Sequence, residues 1–381
     1  MRDGAVYLVL AGLAVSAPAW ADESPSPLEV DPILLLQTWA TVFDQDLDAV
    51  ADPAGYGDPD ADIGLGLRRA RAGLGVRQNH LEAEVTFGVS APFDVRHERR
   101  TGVQVVDAWG GGYWALGPGE LRVAGGSQKV PVSRELLASS TELPFQERAV
   151  QTVYLAPVRD LGVVADYELD LGARLRLGAF NGGGDLFGDD NPGLLGAARL
   201  EFAHGDTYRT FDHDLDPAYG VALSAMFNDD VATRTTRYAA DALVRLWFLT
   251  AMVEGTWSRI EPVGAPVTSP EVLVETVRLG GLAYLGAFLP LQRGGVELGV
   301  RAEIFDDNTA LRDQGDVALV TLGASWRDVV PGVDLGAGFI QRMELGGRDI
   351  PNNSGRLWLQ AHLPTRAGAP ALAMADTDPG Q

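Results

Sequence analysis

The chain has no cysteine, a single lysine and five histidines among its 381 residues. Without a disulfide, an exported fold of this size needs a large core, a metal, or a closed hydrogen-bonded sheet. His80, His97, His204, His213 and His362 fall into no HxxxH or HExxH spacing, so no zinc site is expected. Long apolar runs are missing too. Beyond the first 21 residues no 18-residue apolar stretch exists, and the longest candidate, "ALVRLWFLTAMV", is broken by Arg245. No membrane-spanning helix is expected. Basic charge is scarce: Lys129 leaves 29 arginines among the 30 basic residues, against 52 acids, for a net charge of −22. That balance argues against nucleic acid and against docking on an anionic lipid surface. No Ser-His-Asp arrangement can be assembled, and neither an enzyme nor a cofactor is expected.

At the start, "AVYLVLAGLAV" is too short to span a bilayer and is followed by the small-x-small pattern of "AWA". Residues 1–21 read as a cleaved secretory signal, the alternative being a buried N-terminal helix. At the other end, residues 364–381 form a Pro/Gly/Ala-rich tail that reads as disordered.

Between them the dominant pattern is alternation. "LEAEVTFGV" sets Leu81, Ala83, Val85, Phe87 and Val89 on one face against Glu82, Glu84, Thr86 and Gly88. "VELGVRAEI" and "RLWLQAHL" behave the same way, and no segment of similar length has a helical period. These are half-buried strands. With Gln78-Asn79 as a two-residue turn, the first hairpin pairs Val76 with Leu81, Leu74 with Ala83, Ala72 with Val85 and Ala70 with Phe87. All eight are apolar, and a one-residue slip would mix the faces.

A soluble sandwich and a transmembrane barrel both alternate. The barrel is favoured by strands that never split into 100-residue modules and by apolar faces of small and medium residues. It is favoured too by short turns alternating with long acidic connections at residues 46–62, 181–193 and 204–220. The expectation is an all-β, transmembrane antiparallel barrel over residues 22–363. It has about 16 strands (14 or 18 also fit), short periplasmic turns and long acidic extracellular loops. A barrel of that size leaves an aqueous lumen. Trp39, Trp109, Tyr113, Trp114, Tyr154 and Trp326 stand near strand ends, where an interfacial girdle or ordinary β-propensity would put them.

One stretch, "GSQKVPVSRELLASSTELPFQER", does not alternate. It resembles the signature segment of the phosphate-selective porin O and P family. Gly126, Lys129, Pro131, Ser133 and Glu135 match its first part. Leu137, Ser139, Ser140, Leu143, Phe145, Glu147 and Arg148 match its second, while Gln128 and Val132 replace two family aromatics. "LRRARAGLGV", "RDLGVVADYEL", "AFNGGGD", "VELGVRAEIFDDN" and "NNSGRLWLQAHL" extend the resemblance over most of the chain. It implies a 16-stranded outer-membrane barrel of a Gram-negative bacterium, commonly a homotrimer, with an inward-folded loop near 129–148 that narrows the pore. Small phosphate-like anions would pass along cationic side chains, with outer-membrane lipid and lipopolysaccharide outside.

A diffusive pore needs charged groups that admit an ion and release it. By parity Arg69, Arg71 and Arg77 should face the lumen with Arg301 and Arg122, joined by Arg174 and Arg176. A charge facing lipid at mid-bilayer costs about 2–4 kcal/mol. These arginines either meet anions or are satisfied by Glu82, Glu84, Glu297 and Glu303. Lys129 is either a constriction cation or a loop-base lysine in bulk water. Arg134, Glu135, Glu147 and Arg148 are expected to anchor the loop. Asp212, Asp214 and Asp216 around His213 read as a solvated outer loop, with calcium the alternative. A cation-selective or general diffusion pore, and a non-conducting exported structural β protein, remain open on this sequence.

Overall fold

Sixteen antiparallel strands close into one barrel in a computed structural model that describes residues 26–45, 56–57, 63–90, 102–157, 159–183, 193–263, 274–347 and 350–363. Residues 1–25, on which the secretory-signal expectation falls, most of residues 46–62 and 181–193, and residues 364–381 lie outside the described residues. The strands are β1 (Glu29–Asp44), β2 (Gly64–Gln78), β3 (Leu81–Ser90), β4 (Gln104–Leu116), β5 (Gly119–Gln128), β6 (Asp160–Leu169), β7 (Ala173–Phe180) and β8 (Leu195–His204). They continue with β9 (Ala218–Asp229), β10 (Thr233–Leu246), β11 (Leu249–Pro262), β12 (Thr276–Pro290), β13 (Gly295–Asp306), β14 (Val317–Val330), β15 (Val333–Glu344) and β16 (Ser354–His362). Each strand pairs with its sequence neighbour, and β1 closes on β16, with Trp39 opposite Trp358. Closure satisfies the hydrogen-bonding groups that an open edge would leave bare. Pro32 fits this arrangement: β16 pairs with β1 only from Leu35 onward, so the N–H that proline lacks has no ladder partner to miss.

The apolar face points outward. Val221, Leu223, Leu285, Leu322 and Val253 are all more than half exposed, whereas the alternate positions Glu254, Arg301 and Thr321 are buried inside. A sandwich would bury the apolar set instead, so the alternation belongs to a barrel with lipid outside and polar groups within. Leu223 sits midway along β9 and is 65% exposed. Leu223→Arg is expected to destabilise the folded barrel by about 2–4 kcal/mol, read from denaturant midpoints in lipid vesicles. An unchanged midpoint would mean that this face does not meet hydrocarbon.

The first hairpin keeps its faces but not its expected register. Asn79-His80 forms the turn, Val76 pairs with Ala83, Leu74 with Val85, Ala72 with Phe87 and Ala70 with Val89. The shift is two residues, which alternation cannot detect. Asn79 adopts the left-handed conformation (φ 53), which asparagine tolerates, and its amide and side chain bond Ser26.

Connections after even-numbered strands share one rim and are short, except one. Residues 205–217 join β8 to β9 at the short-turn rim, so this acidic segment is not an outer loop. It enters the lumen, where Arg245 donates to the carbonyls of Asp206, Arg209 and Asp216 and pairs with Asp212 at 3.0 Å. Conversely, β9 and β10 are joined by only residues 230–232 at the opposite rim.

Three of the expected girdle aromatics face inward. Trp39 is 5% exposed and belongs to a luminal apolar cluster, Tyr154 packs against that cluster, and Arg122 lies 4.6 Å above the Trp109 ring. Neighbouring glycines make room for the largest rings. A Cβ on Gly336 would come within 2.1 Å of the Trp358 indole. Trp114 and Trp326 do lie on the exposed face.

Candidate functional site

The connection from β5 to β6, residues 129–159, carries two short helices, α1 (Arg134–Leu137) and α2 (Val150–Leu155). Ser133 starts α1, its hydroxyl accepting from the Leu136 N–H at 3.1 Å. Most of the described segment is buried, because it folds into the barrel and not away from it. Two apolar clusters hold it there. Val130, Val132, Leu136 and Ala156 pack on Val164, Phe180, Leu195, Ala197 and Met226 of β6–β9. Phe145, Val150 and Leu155 pack on Leu243, Met252, Leu282, Phe305 and Leu319 of β10–β14. Among the described residues, β3, β4 and β5 contribute to neither cluster.

Charged groups fix the loop where apolar contact leaves polar atoms. Glu254 on β11 accepts from the backbone N–H groups of Arg134 and Glu135, at 2.9 and 3.2 Å. Glu303 on β13 accepts from Val150 N at 2.7 Å, so each helix starts on a wall carboxylate. Arg134 pairs with Asp241 at 2.6 Å and Glu201 at 3.0 Å, and Arg199 shares both acids. Glu135 receives Arg301 at 3.2 Å and the Ala149 N–H at 2.8 Å, joining α1, α2 and β13. Glu147 is clamped by Arg68 and Arg69, and Arg301 donates to its carbonyl at 2.7 Å.

The remaining candidate cations divide into two groups. Arg77 meets Glu82 at 3.7 Å, and Arg122 pairs with the same carboxylate. Arg69 serves Glu147, Gln37 and the Gln146 carbonyl, and Arg301 also pairs with Glu303 at 2.7 Å. Arg174 and Arg176 share Asp166. These arginines spend their charge on wall and loop acids.

Arg71, Lys129 and Arg148 differ: among the described residues none of the three forms an ion pair. Arg71 donates to the Ser140 hydroxyl at 3.1 Å, while its buried Nε finds no partner. Lys129 donates to the carbonyls of Leu137 and Ala138, each at 2.8 Å. Arg148 donates to the carbonyls of Glu135, Leu136 and Ala138. Lys129 and Arg148 therefore meet at one carbonyl, at the end of α1. Arg159, held by Asp107 through two bonds of 2.7 and 2.9 Å, adds a fourth cation that repels all three. Carbonyl oxygens carry only partial charge, and the acids nearest the group on β3 and β4 are Glu84, which faces Lys129 and Arg159, and Asp107, which faces Arg71 and Lys129 as well as holding Arg159.

Sequence parity did not place Arg68 or Arg159 in the lumen. A register shift opposite Gln37 and Thr38 inserts Arg68 as an extra residue, so two consecutive arginines turn inward. The consecutive "RR" in an otherwise alternating strand is the local signal for it. Arg159 stands just ahead of β6 and carried no periodic signal.

No family model matches the sequence, and no curated protein matches it. Solved structures do match at the level of fold. The anion-selective porin from Comamonas acidovorans superposes with a TM-score of 0.59 at 11% identity, covering 88% of this chain and 100% of that one. OprB of Pseudomonas putida gives 0.57 at 10% identity over 88% and 94% of the two chains. OmpT, an outer-membrane protein of Vibrio cholerae, gives 0.56 at 13% identity over 89% and 99%. The chain thus has the closed β-barrel fold found in porins of the outer membrane.

Proposed function

We propose that the protein is an outer-membrane porin that gives passive passage to small anions of the phosphate type through a water-filled lumen. The observation that carries this reading is the group of Arg71, Lys129 and Arg148, three luminal cations that form no ion pair among the described residues. A pore that selects anions needs charge left over after the structural pairs are made, and it needs it weak enough to let the ion go. Arginine forks suit a phosphate oxygen pair, while lysine acts as a point charge. The fold's likeness to an anion-selective porin supports the same reading. Outer-membrane lipid meets the apolar band, and a homotrimer belongs to the same picture, checked by the mass of the detergent-extracted protein.

The net charge of −22 favours the opposite preference if the acids govern the path. Reversal potentials across a planar bilayer with a KCl gradient decide between them. The expected result is a chloride-side potential, with chloride current reduced when millimolar phosphate is added. A potassium-side potential removes the anion reading and leaves a cation-selective pore. A potential near zero leaves general diffusion.

A further inference from the structure

The β13–β14 connection at the long-loop rim gathers three acids away from the inward-folded loop. Carboxylate oxygens of Asp307, Asp313 and Asp316 all lie within 4.8 Å of one another. A cluster of acids on a surface is ordinary, but three further features set this one apart. Asp316 is only 7% exposed, and its Oδ1 is a buried oxygen with no hydrogen-bond partner. An orphaned carboxylate oxygen is costly unless something cationic meets it. Asp313 and Asp316 form no ion pair among the described residues. Of the described arginines nearby, Arg278 Nε donates to the Asp307 carbonyl at 3.2 Å and Arg312 Nε to the Leu345 carbonyl at 3.0 Å. The loop is also shaped around the cluster. A Cβ on Gly315 would stand 2.2 Å from Asp307 Oδ1, so the missing side chain makes space for that carboxylate. The Gly315 N–H in turn holds Asp313 Oδ1 at 2.8 Å.

We propose that Asp307, Asp313 and Asp316 bind a calcium ion at the long-loop rim of the barrel. Calcium–oxygen bonds of about 2.4 Å allow two ligands on one ion to stand up to about 4.8 Å apart, so the cluster accommodates the ion without backbone movement. Magnesium, with bonds of about 2.0–2.1 Å and a strict octahedron, would have to draw the carboxylates closer. The Asp328, Asp334 and His362 group at the other rim is a poorer candidate, because Asp334 already receives Arg327 and Gln360. Asp212, Asp214 and Asp216, the acids that sequence suggested for calcium, are not among the gathered groups, and Asp212 pairs with Arg245.

Calorimetric titration of CaCl2 into the folded, detergent-solubilised, chelator-stripped full chain tests the site. One calcium per chain is expected, with a midpoint in the range of about 0.1–1 mM typical of extracellular sites. Asp316→Asn should weaken it at least tenfold. Gly315→Ala, which keeps every charge but crowds Asp307, should do the same, and Asp212→Asn should match the wild type. Heat-modifiable migration in a denaturing gel verifies that each barrel has folded. No calcium heat in the wild type, wild-type isotherms for both site variants, or equal binding of MgCl2 would each overturn the proposal.

Discussion

Replacing Arg134 by alanine is expected to raise single-channel conductance severalfold and to destabilise the barrel by about 3–5 kcal/mol, the usual cost of stripping one partner from a buried ion pair. The side chain is 1% exposed. It reaches Asp241 and Glu201 on the wall, donates to the Thr207 carbonyl at 3.0 Å, and lies 5.3 Å over the Tyr208 ring. One residue thus ties α1 to β8, β10 and the inward β8–β9 connection. Its loss leaves Asp241 and Glu201 with Arg199 as their one ion-pair partner among the described residues, and Arg176 as a more distant cation near Glu201. Arg134→Lys keeps the charge but not the fork, and should fall between the two. Denaturant midpoints and planar-bilayer conductance read both effects. If stability drops while conductance holds, the apolar clusters alone keep the loop in place and the charged anchor has no part in narrowing the pore.

Strand content, facing and approximate strand number were legible because alternation is a local property, repeated in nearly every strand. Its weakness is that it is blind to anything even. The first hairpin shifted by two residues with no change of face, because the left-handed asparagine chose the turn and apolar pairing did not. It is equally blind to insertions: the extra residue at Arg68 reverses parity within β2. The inward position of residues 205–217 was hidden for another reason. Its acids look like those of a solvated loop, and what draws the segment inward is contacts with distant strands, such as Arg245 of β10 with Asp212 and Glu297 of β13 with Thr210. The luminal site had the longest reach of all. Arg134 and Asp241 are 107 residues apart in sequence, and Glu135 and Arg301 166. The sequence supplied their charges, but which of them would cancel depended on closure of the barrel.

Lys129→Glu is expected to move the chloride-to-potassium permeability ratio toward potassium by about a hundredfold. An ion passing about 6 Å from a unit charge in water gains or loses about 0.7 kcal/mol, so reversing the charge raises chloride and lowers potassium by about 1.4 kcal/mol each, about 2.8 kcal/mol in their ratio. Lys129→Met should produce about half that change in free energy, or tenfold. This series separates the two roles that the geometry allows. Lys129 caps the carbonyls of Leu137 and Ala138, and Arg148 reaches the second of them as well. If capping is its whole contribution, Met and Glu both disturb the loop, current noise rises, and the reversal potential stays put. If the ammonium also meets passing anions with its third N–H, the potential follows the charge from Lys to Met to Glu. Arg71→Glu provides an independent reading, since Arg71 comes from the wall and caps no helix. Its shift should add to that of Lys129→Glu if both face one ion path. Both shifts should be large in 0.1 M KCl and shrink in 1 M, where the screening length falls from about 10 Å to about 3 Å. A shift that survives high salt unchanged would have to come from altered pore shape, not from charge.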